Sequence, residues 1–196
     1  MHWDRVFEDL ESQLAAEWEA ERAVLDAESE RLRIAKLDLR TRLRVLEAHN
    51  CPLSLRLLSD STRRTVTLRA VGADWIVTEG TGTPALIVPL HAITSVETDH
   101  GSLLATLEET PPPPDTLRER MTLGFLLRDL ARRRVPLHLA LHDGEALHGT
   151  VDRAGSDHLD LAIHDSGESR RAASVRAFRI VPFESLVWLQ PGGTVI

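Results

Sequence analysis

The residues of this 196-residue chain that could do chemistry are five histidines, two aspartates, a tryptophan and a run of arginines. His138, His142, His148, His158 and His164 crowd one region, and imidazole is both a common metal ligand and a base that works near neutral pH. His138 and His142 fall on one face of an alternating stretch with His148 on the strand that follows, a geometry open to a surface metal site. No H-E-x-x-H and no C-x-x-C supports it, Cys51 is the single thiol, and histidines on a polar strand face ordinarily meet only water. The pattern predicts no metal and no cofactor. Asp157 and Asp160 have the chemistry of a general acid and base, but they lie at a turn and a strand without an orienting partner. Hydrogen bonding of the turn is their expected role. With no glycine-rich phosphate loop and no G-x-S-x-G, the chain reads as non-enzymatic. Trp75 and His158 offer flat rings for base stacking, and Arg132, Arg133, Arg134 and Arg170 offer cations for phosphate. The first three arginines also end a predicted helix, where cations complement the helix dipole without any ligand.

Alternation sets most of these residues on strands. Leu137, Leu139 and Leu141 alternate with His138, Ala140 and His142, Asp143-Gly144 turns, and Leu147, Gly149 and Val151 resume the period. That predicts a half-buried hairpin. Gly155 permits a sharp bend before Leu159, Leu161 and Ile163, and Ile180-Val181-Pro182-Phe183 leads into the last pair of strands. The first half repeats the pattern with Leu53, Leu55 and Leu57, then Val66, Leu68 and Ala70, then Gly72 before Asp74-Trp75-Ile76-Val77, and Ile87-Val88-Pro89-Leu90. Gly72 stands against Gly155, Asp74 against Asp157, Ile87 against Ile180, and Leu43-Arg44-Val45-Leu46 against Leu127-Arg128-Asp129-Leu130. The chain reads as one unit written twice.

Residues 3–48 hold no glycine or proline and predict a long helix. Trp3, Phe7, Leu10, Leu14 and Trp18 recur at spacings of four and three, and Leu25, Leu32, Leu39 and Leu46 recur every seven, which is coiled-coil spacing. His49-Asn50-Cys51-Pro52 ends the helix. The prolines at 111–114 predict a stiff spacer. Thr116 and Glu119 then form a capping box for a second helix whose apolar face is Met121, Leu123, Phe125, Leu127 and Leu130. The expected organisation is a helix over 1–49, a five-stranded unit over 50–98, a linker over 99–115, and a helix with a second five-stranded unit over 116–196.

Five short, bent antiparallel strands behind a helix resemble the Sm-like family of small barrels, to which Sm, LSm and Hfq proteins belong. The resemblance implies an α+β chain: a long N-terminal helix, then two tandem five-stranded barrels near 51–98 and 135–190, the second introduced by its own helix. In that family the loop after the bent second strand binds single-stranded RNA through an aromatic or histidine, an apolar residue and an asparagine. His158-Leu159-Asp160 and Trp75-Ile76-Val77 occupy the matching positions. Asp160 and Val77 lack an amide's paired donor and acceptor, and Val88-Pro89 and Val181-Pro182 replace the family's second, basic or glycine-containing element.

Thirty acidic residues against 23 basic ones, a net charge of −7, oppose general affinity for polyanions. Only residues 115–134 are basic, and the single lysine, Lys36, marks arginine abundance as a composition bias. No apolar run is long enough to cross a membrane, and the acidic N-terminus is unlike a secretory signal, which predicts a cytoplasmic protein without a membrane partner. The expected function is that of an interaction or scaffold protein, associating with itself and with other proteins through the long helix and exposed strand edges. An RNA-binding regulator using Trp75, His158, Asp160, Arg132, Arg133 and Arg134 is the alternative.

Overall fold

The computed structural model of the chain describes residues 3–80, 82–108, 116–166, 171 and 174–192. The glycine- and proline-free start forms α1, Trp3–Ala35, but the expected helix to residue 48 is broken. Lys36 N–H and Leu37 N–H reach back three residues to the carbonyls of Arg33 and Ile34, both at 3.1 Å, and α2, Leu39–Ala48, begins afresh. Such a tightened final turn satisfies end carbonyls and stops the helix. The chain to Leu39 is one compact unit and the chain from Arg40 is another.

The second unit carries ten strands: β1 Leu53–Leu57, β2 Asp60–Val71, β3 Trp75–Gly80, β4 Thr83–Pro89, β5 Ile93–Glu97, β6 Pro136–Leu141, β7 Ala146–Ala154, β8 His158–Ile163, β9 Ala177–Pro182 and β10 Leu186–Pro191. They lie in the order β5-β1-β2-β3-β4-β10-β6-β7-β8-β9, so each half has the same internal order. This corrects the expectation of two barrels. The strands make a single open ten-stranded antiparallel sheet in which β4 is joined to β10 through Ile87 and Leu189, and neither half closes on itself. Alternation tells which side chains share a face, but not which edge will satisfy the outer backbone row of β4. That row is taken by β10, leaving β5 and β9 as edges.

The two apolar clusters interlock across this junction. Val187 and Trp188 from the second half pack with Leu43, Leu53 and Leu55, while Trp75, Val77 and Ile87 from the first half pack with Leu127, Leu137 and Leu139. Each fully buried leucine of this kind contributes about 2 kcal/mol of transfer free energy, so the halves stabilise one another.

Helices lie between the two halves in the chain. The expected linker begins with α3, His100–Ala105, capped by the Asp99 carboxylate, which accepts from Ser102 N–H at 2.9 Å; the proline run at 111–114 lies outside the described residues. Beyond it stand α4, Leu117–Arg120, and α5, Leu123–Arg132. Thr116 makes no side-chain cap; Thr122 instead accepts from Phe125 N–H at 3.3 Å, and Phe125 is exposed rather than part of the apolar face. The physical reason is tertiary. Met121 stays extended because its carbonyl accepts both from the Trp75 indole, at 2.9 Å, and from Ala73 N–H, at 3.0 Å, and Leu123 N–H donates to the Asp74 carboxylate at 2.6 Å. Both α2 and α5 end in a left-handed residue, Asn50 at φ 49° and Arg134 at φ 54°, with Cys51 N–H reaching Leu46 O and Val135 N–H reaching Leu130 O. Among the described residues no helix is long and apolar enough to cross a membrane.

Candidate docking edge

β8 and β9 position the residues of interest. β8 alternates Leu159 and Leu161, which enter the core, with His158, Asp160 and Ala162 on the opposite face. β9 lies against it with Ala162 opposite Phe178, Asp160 opposite Ile180 and His158 opposite Pro182. Phe183 N–H donates to Asp157 O at 2.7 Å, and hydrogen-bonded pairs alternate along an antiparallel ladder. Val181 and Arg179 therefore turn their backbone groups toward β8, and Phe178 and Ile180 turn theirs to the open side.

The first half shows what such an edge looks like when it is covered. Ile87, the counterpart of Ile180, is paired with Leu189 and is 4% exposed, whereas Ile180 is 70% exposed and Phe178 68%. The facing strand differs in step. Trp75 and Val77 are buried beneath the second half, and their counterparts His158 and Asp160 are half-exposed and polar. At His158 and Asp160 the face of β8 is thus suited to water while the edge of β9 remains apolar. Around it, Arg179 is paired with Glu145, and Arg176 with Asp165.

The residues proposed for stacking and phosphate contact are dispersed. Trp75 is 3% exposed, with its indole lying over Gly72, and has no ring face to offer a base. His158 lies over Gly155 in the same manner but at the surface, its Nδ1 2.7 Å from Asp157 Oδ1. That hydrogen bond holds the Asp157 carboxyl below its ordinary range. Asp160 is on the β8 face beside Ile180. Arg132 and Arg133 both reach Asp129, at 2.5 and 3.5 Å, and Arg134 reaches Asp152 at 3.1 Å. The Arg132 hydrogen bond first, and Arg133 beside it, keep the Asp129 carboxyl below its usual value, so the segment's positive charge is offset locally. Arg170 lies outside the described residues.

Three of the histidines form a row. The rings of His138 and His148, directly opposite on β6 and β7, are 4.3 Å apart, and His148 meets His164 edge-on at 4.9 Å. The nitrogens of two of them serve the fold: His148 Nδ1 is 2.9 Å from His164 O, and the buried His164 ring contacts Thr150 Oγ1 at 2.9 Å and Asp165 O at 3.1 Å. His142 stands apart, exposed in the β6–β7 turn. Among the described residues no group of three or more His, Cys, Asp or Glu side chains is arranged to hold a metal ion.

Sequence reasoning missed Phe178, Arg179 and Ile180 as surface residues. The match of Ile87 with Ile180 was readable, but the strand order needed to see that only one of them is covered was not. Comparison with known proteins yields no matching family model, no matching curated protein and no matching solved structure.

Proposed function

We propose that this is a non-enzymatic interaction and scaffold protein that assembles by adding a strand from a second copy of the chain to β9. The observation that carries the reading is the contrast between Ile87, buried by β10, and Ile180, its exposed counterpart at the sheet's edge. A strand edge with free backbone groups and apolar side chains is a template for pairing, and main-chain hydrogen bonds supply the affinity.

The internal junction supports a particular occupant. β10, the last strand of the second half, lies on β4; its counterpart β5, the last strand of the first half, lies at the other open edge of the sheet. Laying β5 of a second copy on β9 as β10 lies on β4 sets the partner's Val96 against Ile180 and the partner's Glu97 against Arg179. Both contacts are complementary, one apolar and one of opposite charge. A head-to-tail contact of this kind leaves one free edge at each end, so it builds rings or open chains according to the rotation per copy.

The test is the mass of the full-length protein by light scattering over a concentration series. Wild type is expected to exceed two chains, Ile180→Lys to lose the higher species, and Arg179→Glu combined with Glu97→Arg to recover more of them than either alone. Assemblies indifferent to Ile180→Lys would refute the edge reading. Submicromolar, base-selective binding of a uridine- or adenosine-rich oligonucleotide at physiological ionic strength would favour the RNA-binding reading instead.

A further inference from the structure

α1 presents an apolar seam of its own. Phe7, Leu10, Leu14, Trp18, Leu25 and Leu32 recur at helical spacing and are all exposed, Trp18 at 75%. At 100° per residue they lie within a stripe less than a third of the helix circumference, the width of a helix–helix contact. The same stripe includes Glu11, Glu21, Glu28 and Ser29, which constrain what can cover it.

We propose that the occupant is α1 of a second copy, running antiparallel, with Phe7 over the partner's Leu32 and Leu14 over the partner's Leu25. A parallel pair sets every seam residue against itself, so Glu11, Glu21 and Glu28 would each meet their own copies, as would Glu17 beside the seam. Like charges held together at a contact oppose association. Reversing one helix leaves only Glu11 against the partner's Glu28. Trp18 then covers the partner's Glu21 with its ring, Leu10 covers the partner's Ser29, and Glu17 faces the partner's Arg22. Glu21 and Ser29 thus meet apolar residues, and each of the two leucine-rich layers occurs twice by symmetry. Such a two-fold contact is closed and makes a dimer only, unlike the open-ended edge of β9. It is independent of that edge.

The experiment uses the full chain with Ile180→Lys, to suppress edge pairing, and Cys51→Ser with Glu8→Cys, to place one spin label per copy. The antiparallel pairing sets Glu8 beside the partner's Arg31, so the two labels are separated by 23 residues of axial rise, about 35 Å at 1.5 Å per residue. A parallel pair brings them within about 20 Å, since packed helix axes lie roughly 8–10 Å apart. A dimer with a label distance near the longer value, converted to monomer by Leu14→Asp with helical circular dichroism retained, is the expected result. A monomer at about 100 μM before that substitution, a short label distance, or a dimer that survives Leu14→Asp would each overturn the proposal; the fate of the higher species in the parent chain reports separately on β9.

Discussion

Replacing Trp75 by alanine should cost this fold far more than replacing its counterpart His158. Trp75 is 3% exposed, belongs to the larger apolar cluster, and donates its indole N–H to Met121 O at 2.9 Å. Truncating a buried tryptophan to alanine costs about 3–5 kcal/mol through lost transfer free energy and the cavity left behind. The hydrogen bond adds little to that, because Met121 O retains Ala73 N–H at 3.0 Å and is not orphaned. His158 has 44% of its side chain exposed, and a surface substitution there should change stability by no more than about 0.5 kcal/mol. The assay is equilibrium unfolding in urea. With a denaturant slope of about 2 kcal/mol per molar, Trp75→Ala should lower the midpoint by about 2 M and His158→Ala should leave it nearly unchanged. A Trp75→Ala midpoint within about 0.5 M of wild type, or an equal loss in both variants, would refute the placement of Trp75 in the core and reopen its ring as a binding surface.

Two further outcomes follow from the same geometry. A methyl group on Gly72 would lie 2.3 Å from the Trp75 ring, which is packed and cannot yield, whereas on Gly155 it would lie 2.6 Å from the His158 ring, which can swing toward solvent. Gly72→Ala should therefore lose about 1–3 kcal/mol by overpacking, and Gly155→Ala clearly less, in the same unfolding assay; equal losses would contradict the different burial of the two rings. Burial, and then the charge of neighbouring His148, hold the His138 imidazole below its ordinary pKa. The folded chain thus binds this proton less readily than the unfolded chain, so stability should fall as pH drops through the ordinary histidine value of about 6.5. His138→Gln should flatten the pH dependence of the urea midpoint in that window, and an unaltered slope would count against the effect.

Alternation and glycine placement were enough to locate the strands. Leu53-Leu55-Leu57 and Leu137-Leu139-Leu141 became β1 and β6 because a period of two has one solution on a pleated backbone, and Leu43, Leu46, Leu127 and Leu130 became core for the same kind of reason on helices. The correspondence of Gly72 with Gly155 and of Ile87 with Ile180 was equally legible, since it lies in residue identity and spacing. Three things were not. The break at Lys36 falls among good helix formers, so local propensity does not mark it. Thr122 rather than Thr116 caps α5 because Met121 O is claimed by Trp75 and Ala73, residues distant in sequence. Trp75 and His158, equivalent by position, have opposite fates because β10 and the second half cover one side of β4, while among the described residues no strand pairs with the outer side of β9. Periodicity decides which side chains share a face; whether a face or an edge meets protein or water is decided only when distant segments pair, because backbone hydrogen bonds at an edge carry no sequence label of their own.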